Sequence, residues 1–252
     1  MAQMSLQTYL SNETVKTRLN ERFGKNASAL MSAVLSVYSS NKQLQECDPK
    51  SIMGAAALAQ VMNLPIAPGL NQAYIMPYRG KATFVVGYKG LIQLAHRSGQ
   101  YVRLHAGVVR EGEFRGFDAL TGEPIGGEAV SDEIVGYVAY FKLVNGFEKY
   151  EYMSVEQMDA HAQKYSQSYG KSYSPWSTNF EDMARKTVLK RLLSRWGVLT
   201  PELQEAMRAD QSLVDKNTYT YVDNGGNVVE RNEIPIDEET GEIVDVDLEA
   251  QA

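Results

Sequence analysis

The sequence has few residues of the kinds that build disulfides, metal centres and membrane spans. Cys47 is the single cysteine, so an internal disulfide is excluded and a reducing cytoplasm is expected. The three histidines, His96, His105 and His161, are far apart and have no cysteine partner, so no histidine metal site is predicted. No apolar run approaches the ~18 residues of a membrane helix, and the opening MAQMSLQTYL lacks the basic and apolar parts of a signal peptide. We expect a cytoplasmic protein with no membrane partner.

Signatures of nucleotide and catalytic sites are also incomplete. The Gly-Lys-Ser at 170–172 resembles the end of a phosphate-binding loop, but Tyr165 stands where that loop needs its first glycine. The GxxG at 87–90 lacks the third glycine of a dinucleotide fingerprint. No Ser/His/Asp or Cys/His arrangement can be argued. The carboxylate pair Glu111 and Glu113 could hold Mg²⁺, but a solvated strand edge is the simpler interpretation. We therefore predict that the protein is not an enzyme.

A net positive charge, which is common in nucleic-acid-binding domains, is missing as well. The formal charge is −6, but it is unevenly placed. Residues 212–252 carry 11 acidic and two basic side chains, a net −9, whereas residues 1–211 carry a net +3. We predict a single domain over residues 1–209 and an acidic, disordered tail over residues 210–252.

The stretch over residues 72–99 predicts a β-hairpin that leads into a helix. Apolar residues alternate on either side of Tyr-Arg-Gly-Lys at 78–81, which is a tight turn with two cations at its tip. A helical period starts at Tyr88 and is ended by Gly99. The glycines and aromatic residues of this unit, beside its cations, suit close backbone contact with an anionic ligand that can stack.

The rest of the chain predicts helices before this unit and strands after it. Capping residues predict helices that begin at Ser11, Asn26, Asp48 and Ser154. Alternating patterns and an Asn-Gly turn at 145–146 predict strands over residues 101–110, 134–144 and 147–153. This order indicates an α+β fold in which antiparallel β-hairpins form a sheet that packs with helices.

A long basic helix is predicted at the C-terminal end of the domain, from Ser174-Pro175 to Gly197. Apolar residues recur every four positions as far as Trp196, which is therefore expected in the core. Trp176 is equally compatible with the core and with a ligand site. The cations of this helix are Arg185, Lys186, Lys190, Arg191 and Arg195. Lys186, Lys190 and Arg191 are expected on the arc opposite the apolar residues. Arg185 is expected beside the apolar arc.

Cations and aromatic residues from the hairpin unit, the following loop and the long helix are typical of a groove for single-stranded DNA. The cations would follow the phosphates, and the aromatic faces would accept bases. A solvated helix face and aromatic residues in the core are the alternative interpretation. The candidate DNA-binding residues are Arg79, Lys81, Tyr88, Lys89, Arg97, Lys171, Trp176, Arg185, Lys186, Lys190 and Arg191.

Three motifs, taken in order, resemble those of the RecT family of phage recombinases. They are PYRGKAxFxxGYKG over residues 77–90, NGFEK over 145–149 and MARKTVL over 183–189, followed by Trp196-Gly197. The resemblance covers about residues 30–199. It implies an ATP-independent protein that binds and anneals single-stranded DNA in homologous recombination and requires no cofactor.

The same resemblance implies how such a protein works. Rings or helical filaments of a homo-oligomer hold the DNA backbone and leave the bases free to pair, so contact is mostly to phosphate. The implied ligands are single-stranded DNA and the annealed duplex intermediate. The implied partners are a phage exonuclease and the host single-strand-binding protein, in the cytoplasm of a bacterium that carries the phage or prophage. Modulation by Mg²⁺ is associated with the family, but no ligand set in this sequence supports it.

Two other functions stay open. A protein that protects single strands without annealing them would use the same groove, and it would slow the pairing of complementary strands instead of speeding it. A Mg²⁺-dependent nuclease built on Glu111 and Glu113 would degrade labelled DNA.

Overall fold

The secondary structure is taken from a computed structural model, which describes residues 4–67, 69–166, 168–172, 174–215, 218–221 and 228–230. Within these ranges the helices are α1 (Leu6–Ser11), α2 (Glu13–Phe23), α3 (Ala27–Ser40), α4 (Pro49–Val61), α5 (Tyr88–Arg97), α6 (Val155–Tyr165), α7 (Pro175–Thr178), α8 (Phe180–Trp196) and α9 (Pro201–Ala209). The strands are β1 (Ala73–Tyr78), β2 (Lys81–Val86), β3 (Tyr101–Arg110), β4 (Phe114–Phe117), β5 (Pro124–Gly126), β6 (Ile134–Leu143), β7 (Glu148–Ser154), β8 (Ser212–Asp215), β9 (Thr218–Tyr221) and β10 (Val228–Glu230). All strand pairs are antiparallel, which confirms the predicted α+β class.

Helix starts follow the capping residues closely. The Asp48 side chain accepts a hydrogen bond from the Lys50 N–H, and Pro49 is the first residue of α4. Ser154 and Gln157 form the reciprocal capping box of α6. The prediction for α2 is wrong by one residue, because Ser11 already ends α1 and Asn12 provides the cap.

The hairpin predicted within residues 72–99 is confirmed. β1 and β2 pair from Ala73 opposite Val86 to Tyr78 opposite Lys81. This register leaves a two-residue turn of Arg79 and Gly80, whose φ angles are +46° and +78°. Positive φ at both positions matches the twist of the flanking strands. The sheet continues in the order β1-β2-β8-β9-β10.

The last three strands correct the sequence interpretation, which predicted no element after Asp210. β8 joins β2 through the pairing of Ser212 with Phe84, and the Gln211 N–H donates to the Phe84 carbonyl. These strands were not predicted, because the many acidic residues of the region indicated disorder despite the short β-forming runs Ser-Leu-Val-Asp and Thr-Tyr-Thr-Tyr. Residues 231–252, where most of the predicted disordered tail falls, lie outside the described residues, and the division near residue 210 stays a prediction.

A second antiparallel sheet, in the order β3-β6-β7, carries the long helix. Leu104 opposite Phe141 and Ala106 opposite Ala139 belong to the face against which α8 packs, and α6 contacts β6 and β7. β4 and β5 form a small extension beyond β3. Helix α8 therefore links the sheet to the rest of the core, which also includes α5.

The two tryptophans are placed differently by α7 and α8. Asn179 separates these helices, so the predicted long helix begins as two pieces. Trp176 is buried, edge-on to Phe180 with ring centres 5.6 Å apart. Trp196 is 50% exposed. The prediction that it lies in the core is wrong, because residues 194–196 are all exposed and the buried apolar period of α8 ends at Leu193.

Candidate nucleic-acid interface

A cleft of about 890 Å³ opens between the β1–β2 hairpin and the N-terminal turns of α8. Its lining comes from the turn before α4, the hairpin, the start of α5, and the segment from the loop before α7 into α8. The side chains in this lining that suit DNA are Tyr74, Tyr78, Arg79, Tyr88, Lys171 and Lys186. The cleft thus gathers tyrosines and cations from distant parts of the sequence.

One wall of the cleft is the outer face of the hairpin. Side chains alternate along β1, so Ile75 is buried in the core while Tyr74 and Met76 are half-buried and line the cleft. Burial, with a smaller contribution from the carboxylate of Asp182, raises the pKa of Tyr74. Its ring is therefore a neutral surface at physiological pH.

The facing wall is the loop before α7 together with the first turns of α8. Ser174 is fully buried, and its hydroxyl lies 3.1 Å from that of Ser168. The carbonyl of Lys171 accepts hydrogen bonds from the Ser174 N–H and from the Ser177 hydroxyl. These bonds fold the loop back on itself and hold the exposed Lys171 at the cleft.

The tip of the hairpin is fixed to the start of α4. The N–H of Asp48 donates to the carbonyl of Gly80 at 2.8 Å. The hydroxyl of Ser51 accepts a hydrogen bond from the N–H of Ala82, also at 2.8 Å. The hairpin wall is therefore anchored at both of its ends, since its base continues directly into α5.

Exposed cations stand on both walls. The Arg79 guanidinium at the hairpin tip lies 5.3 Å from the centre of the Tyr78 ring. Lys171 is on the facing loop, and the carboxylates in the lining are Glu46 and Asp182. Cations on two walls suit a chain of phosphates, and the tyrosines between them suit bases.

The two glycines at the start of α5 make room for the protein's own backbone. A Cβ at Gly87 would lie 2.2 Å from the carbonyl oxygen of Asn71. A Cβ at Gly90 would lie 2.1 Å from the carbonyl oxygen of Gln72. Both positions need glycine because α5 begins against the segment that precedes β1. The expectation that these glycines approach a ligand stays a prediction, and Gly87 lines the cleft.

A buried ion cluster joins α8 to the hairpin behind the cleft. Asp210 accepts hydrogen bonds from Lys186 Nζ and Lys190 Nζ, each at 2.8 Å, and from the Val86 N–H at 3.1 Å. Burial by itself raises the pKa of Asp210, but the two ammonium groups outweigh it and hold the pKa below its ordinary value.

This cluster corrects the expected position of Lys186. The side chain of Lys186 is 8% exposed, against 35% for Lys190, so Lys186 does not lie on a solvated arc. The pairing partner is Asp210, which the sequence interpretation had assigned to the tail. Lys186 is nevertheless part of the cleft lining.

The remaining cations of α8 also bind carboxylates of the protein. Arg191 Nε lies 2.7 Å from a carboxylate oxygen of Glu151 on β7, and the Arg195 guanidinium lies 3.4 Å from the same group. Arg185 pairs with Glu181 one turn earlier on α8. The DNA-binding role of Arg185, Lys190 and Arg191 stays a prediction, and each has a structural partner within the chain.

Other candidates lie away from the cleft. Arg97 donates to the carbonyls of Met62 and Asn63, so it binds the C-terminal end of α4. Trp176 is packed in the core. The hairpin-unit lysines that are exposed but outside the cleft lining are Lys81 and Lys89.

The structure therefore brings four of the eleven candidates to one cleft: Arg79, Tyr88, Lys171 and Lys186. Sequence reasoning missed Tyr74, Met76, Tyr78 and Asn179 as members of the cleft lining. The signal for the first two was available, because the face of β1 opposite Ile75 carries large side chains that no core partner requires. Asn179 carries no such signal, since only the break between α7 and α8 places it at the cleft.

The carboxylates considered for a metal site bind protein groups. Glu113 accepts a hydrogen bond from the Arg110 N–H at 2.6 Å, and Glu111 accepts one from the Ser131 hydroxyl at 2.8 Å. Among the described residues, no cluster of three or more His, Cys, Asp or Glu side chains could hold a metal ion. In that same part of the chain, no helix has the length and hydropathy needed to cross a bilayer.

Tyrosines and cations that share one cleft are the combination typical of proteins that bind single-stranded nucleic acid. The model of the RecT family matches residues 28–223, which contain the hairpin, both walls of the cleft and Asp210. The chain belongs to the RecT family, whose members bind DNA and anneal single strands in recombination. The resemblance found in the sequence motifs is thereby confirmed.

Two relatives show how far the similarity extends. The uncharacterized protein YqaK of Bacillus subtilis (strain 168) is 43% identical over 200 residues, which are 79% of this chain and 69% of YqaK. Protein RecT of Escherichia coli (strain K12) is 32% identical over 181 residues, which are 67% of this chain and 65% of that protein. Helices α1 and α2 precede the residues that the family model matches.

Proposed function

We propose that the cleft between the hairpin and α8 binds single-stranded DNA, and that the protein anneals complementary strands without ATP. The observation that carries this proposal is the cleft lining, in which Tyr74, Tyr78 and Tyr88 share one concave surface with the cations Arg79 and Lys171. Contacts from such cations to phosphate hold a strand without reading its sequence. Aromatic rings accept any base, because every base has a π-face.

Annealing places a specific demand on such a site. The strand must be held by its backbone while the pairing edges of its bases stay open to a second strand. Stacking on tyrosine occupies the face of a base and leaves its pairing edge available. Cations at the hairpin tip and on the facing loop can hold phosphates on both sides of a stacked base.

The size of the cleft supports action as an oligomer. The cleft of one copy is formed by one hairpin and one end of α8, so it contacts only a short stretch of a strand. Copies arranged along one strand, as a ring or a filament, would present a continuous stretch for pairing. A phage exonuclease that produces single strands and a host single-strand-binding protein that yields them are the partners we expect, in the bacterial cytoplasm.

The test is an annealing assay with complementary labelled oligonucleotides, with and without ATP. The wild-type protein should speed pairing equally in both conditions. Lys171→Ala and Tyr78→Ala should slow it, because each removes one component of the cleft. The matched control is Lys50→Ala, an exposed lysine on the first turn of α4 outside the cleft lining.

The possible outcomes separate the candidate functions. Slower pairing with the wild-type protein than without it would identify a protective protein. Degradation of the labelled DNA in Mg²⁺ would identify a nuclease. Unchanged annealing in both cleft variants, with unchanged unfolding midpoints, would place the DNA site elsewhere.

A further inference from the structure

Gln211, which lies between α9 and β8, is part of the cleft lining and has an uncommon backbone conformation. Its φ angle is +61°, in the left-handed region that glycine and, less readily, asparagine adopt. Over the described residues, the other non-glycine residues with positive φ are Asn63, Asn71 and Arg79. Arg79 belongs to a turn that requires positive φ, and asparagine tolerates it. Among these four residues, only the glutamine lacks a local reason for this conformation.

The residues on either side hold Gln211 in place. Before it, Asp210 is fixed by the two lysines of α8 and by the Val86 N–H. After it, Ser212 is fully buried and pairs with Phe84 in the sheet. Strained backbone of this kind persists only where the surrounding structure over-determines it, and it is concentrated at ligand sites.

These contacts place Gln211 against the hairpin wall of the cleft. Its N–H donates to the carbonyl of Phe84 at 3.0 Å. The Phe84 side chain is in the core, whereas Thr83 and Val85 on either side of it belong to the cleft lining. Gln211 is half-buried, and the described residues provide no hydrogen-bond partner for its side-chain amide. The amide is therefore available to a ligand in the cleft.

An amide complements a base better than it complements a phosphate. It carries two N–H donors and one carbonyl acceptor, and base edges also present both kinds of group. A phosphate presents acceptors only, and cations bind it more strongly. Every base has an acceptor on its minor-groove edge, at purine N3 or pyrimidine O2, so an amide donor that reaches this edge does not read the sequence. The cleft already contains the cations Arg79 and Lys171 for phosphate.

We propose that Gln211 is a base-contacting residue of the cleft, and that its strained backbone is retained because it directs the amide to a bound strand. The inference rests on the proposed binding of single-stranded DNA in this cleft. It also gives Asp210 a role beyond stability, since the buried ion cluster fixes the residue next to Gln211 and so positions the base contact.

Replacement by glycine separates a ligand role from a structural role. Gln211→Gly removes the amide and relieves the left-handed strain, because glycine has no Cβ. The variant should unfold at the wild-type temperature or above it. It should bind a labelled single-stranded oligonucleotide about 2- to 10-fold more weakly, which is the contribution of one hydrogen bond. The matched control is Asn63→Gly, which relieves positive φ outside the cleft lining and should leave DNA affinity unchanged.

An abasic oligonucleotide identifies the group that Gln211 contacts. This probe keeps every phosphate of the first oligonucleotide and lacks its bases. Gln211→Gly and the wild type should bind the abasic probe equally, because neither makes the base contact. The slope of log K against log salt should keep its wild-type value in this variant, since no phosphate contact is lost. Lys171→Ala should instead flatten the slope and weaken binding to both probes.

Four results would overturn the inference. A lower unfolding temperature of Gln211→Gly would give the side chain a structural role. An equal loss of affinity for both probes, with a flatter salt slope, would assign the amide to phosphate. Unchanged affinity of Gln211→Gly with weaker binding by Lys171→Ala would remove Gln211 from the site and leave the proposed function of the cleft standing. Unchanged affinity in both variants would overturn both proposals.

Discussion

Helix α8 and the walls of the cleft both carry cations, but in different surroundings. On α8, Lys186 and Lys190 bind the buried carboxylate of Asp210, and the arginines that follow bind Glu151. In the cleft, Arg79 and Lys171 are exposed on the two facing walls. A basic helix is thus not by itself evidence of a DNA-binding surface, because a carboxylate brought close by the fold can bind its cations.

We therefore expect different roles for the α8 cations and for the cations of the cleft walls. The α8 cations connect elements: Lys186 and Lys190 join α8 to the residue that follows α9, and Arg191 and Arg195 join it to β7. Arg79 and Lys171 lie on facing walls of the cleft, where we propose that they meet a ligand. Removing a cation from the first group should change stability, and removing one from the second should change affinity for DNA.

The largest effect is expected from Asp210→Ala. It leaves two ammonium groups, one of them buried, without their carboxylate, and it removes the acceptor of the Val86 N–H. Breaking a buried ion pair by removing one partner costs about 3–5 kcal/mol. Urea unfolding measures this loss. A free energy of unfolding within about 1 kcal/mol of the wild-type value, the range of exposed pairs, would contradict the connecting role.

The double change Arg79→Ala with Lys171→Ala should act on DNA and not on the fold. Each lost phosphate contact flattens the slope of log K against log salt by about 0.7 on single strands. The free energy of unfolding should move by less than about 0.5 kcal/mol, because both side chains are exposed. Titrations of a labelled oligonucleotide at several salt concentrations measure the slope. An unchanged slope together with a lower free energy of unfolding would show that Arg79 and Lys171 stabilise the fold and do not contact DNA.

Acidification should remove the contribution of the Asp210 carboxylate to the free energy of unfolding. Its folded pKa lies below the ordinary value of about 3.9, so the carboxylate stabilises the fold above that value and loses its effect as pH falls through the folded pKa. The difference in free energy of unfolding between the wild type and Asp210→Asn should be constant from pH 7 to about pH 5 and shrink below about pH 4. A difference that grows on acidification would mean that the folded pKa is raised.

The smallest effect is expected from Arg185→Ala. Its partner Glu181 is exposed, and pairs of this i,i+4 kind contribute about 0.3–0.5 kcal/mol. Thermal unfolding at low and high salt measures it, and salt should erase the difference between the variant and the wild type. A loss comparable to that of Asp210→Ala would show that the burial of the partner carboxylate, which is 52% exposed in Glu181 and 1% exposed in Asp210, does not set the size of these effects.

Local chemistry made much of the fold predictable. The Arg79-Gly80 turn, the capping box at Ser154 and the Asn145-Gly146 turn each depend on residues a few positions apart, so their patterns are visible in the sequence. The strands after Asp210 depend instead on a pairing between Ser212 and Phe84, which only the assembled sheet provides. The burial of Trp176 and the exposure of Trp196 were likewise decided by neighbouring elements rather than by helical period.

The site was predictable only in part for the same reason. Arg79, Tyr88 and Lys171 stand out as cations and an aromatic residue near turns, and the cleft gathers them. Lys186 has the same appearance in the sequence, but its surroundings were set by Asp210, 24 residues away. No pattern of spacing along α8 distinguishes a lysine that meets solvent from one that meets a buried carboxylate.

The attachment of the hairpin tip to the start of α4 has a consequence for the kinetics of DNA capture. The hydrogen bonds from Asp48 to Gly80 and from Ala82 to Ser51 set the position of this wall when the chain folds. If the cleft binds a strand as we propose, the strand does not have to wait for this wall to close. Association should then be a single phase whose rate rises in proportion to DNA concentration. Differences in affinity among cleft variants should appear chiefly in how fast the strand escapes.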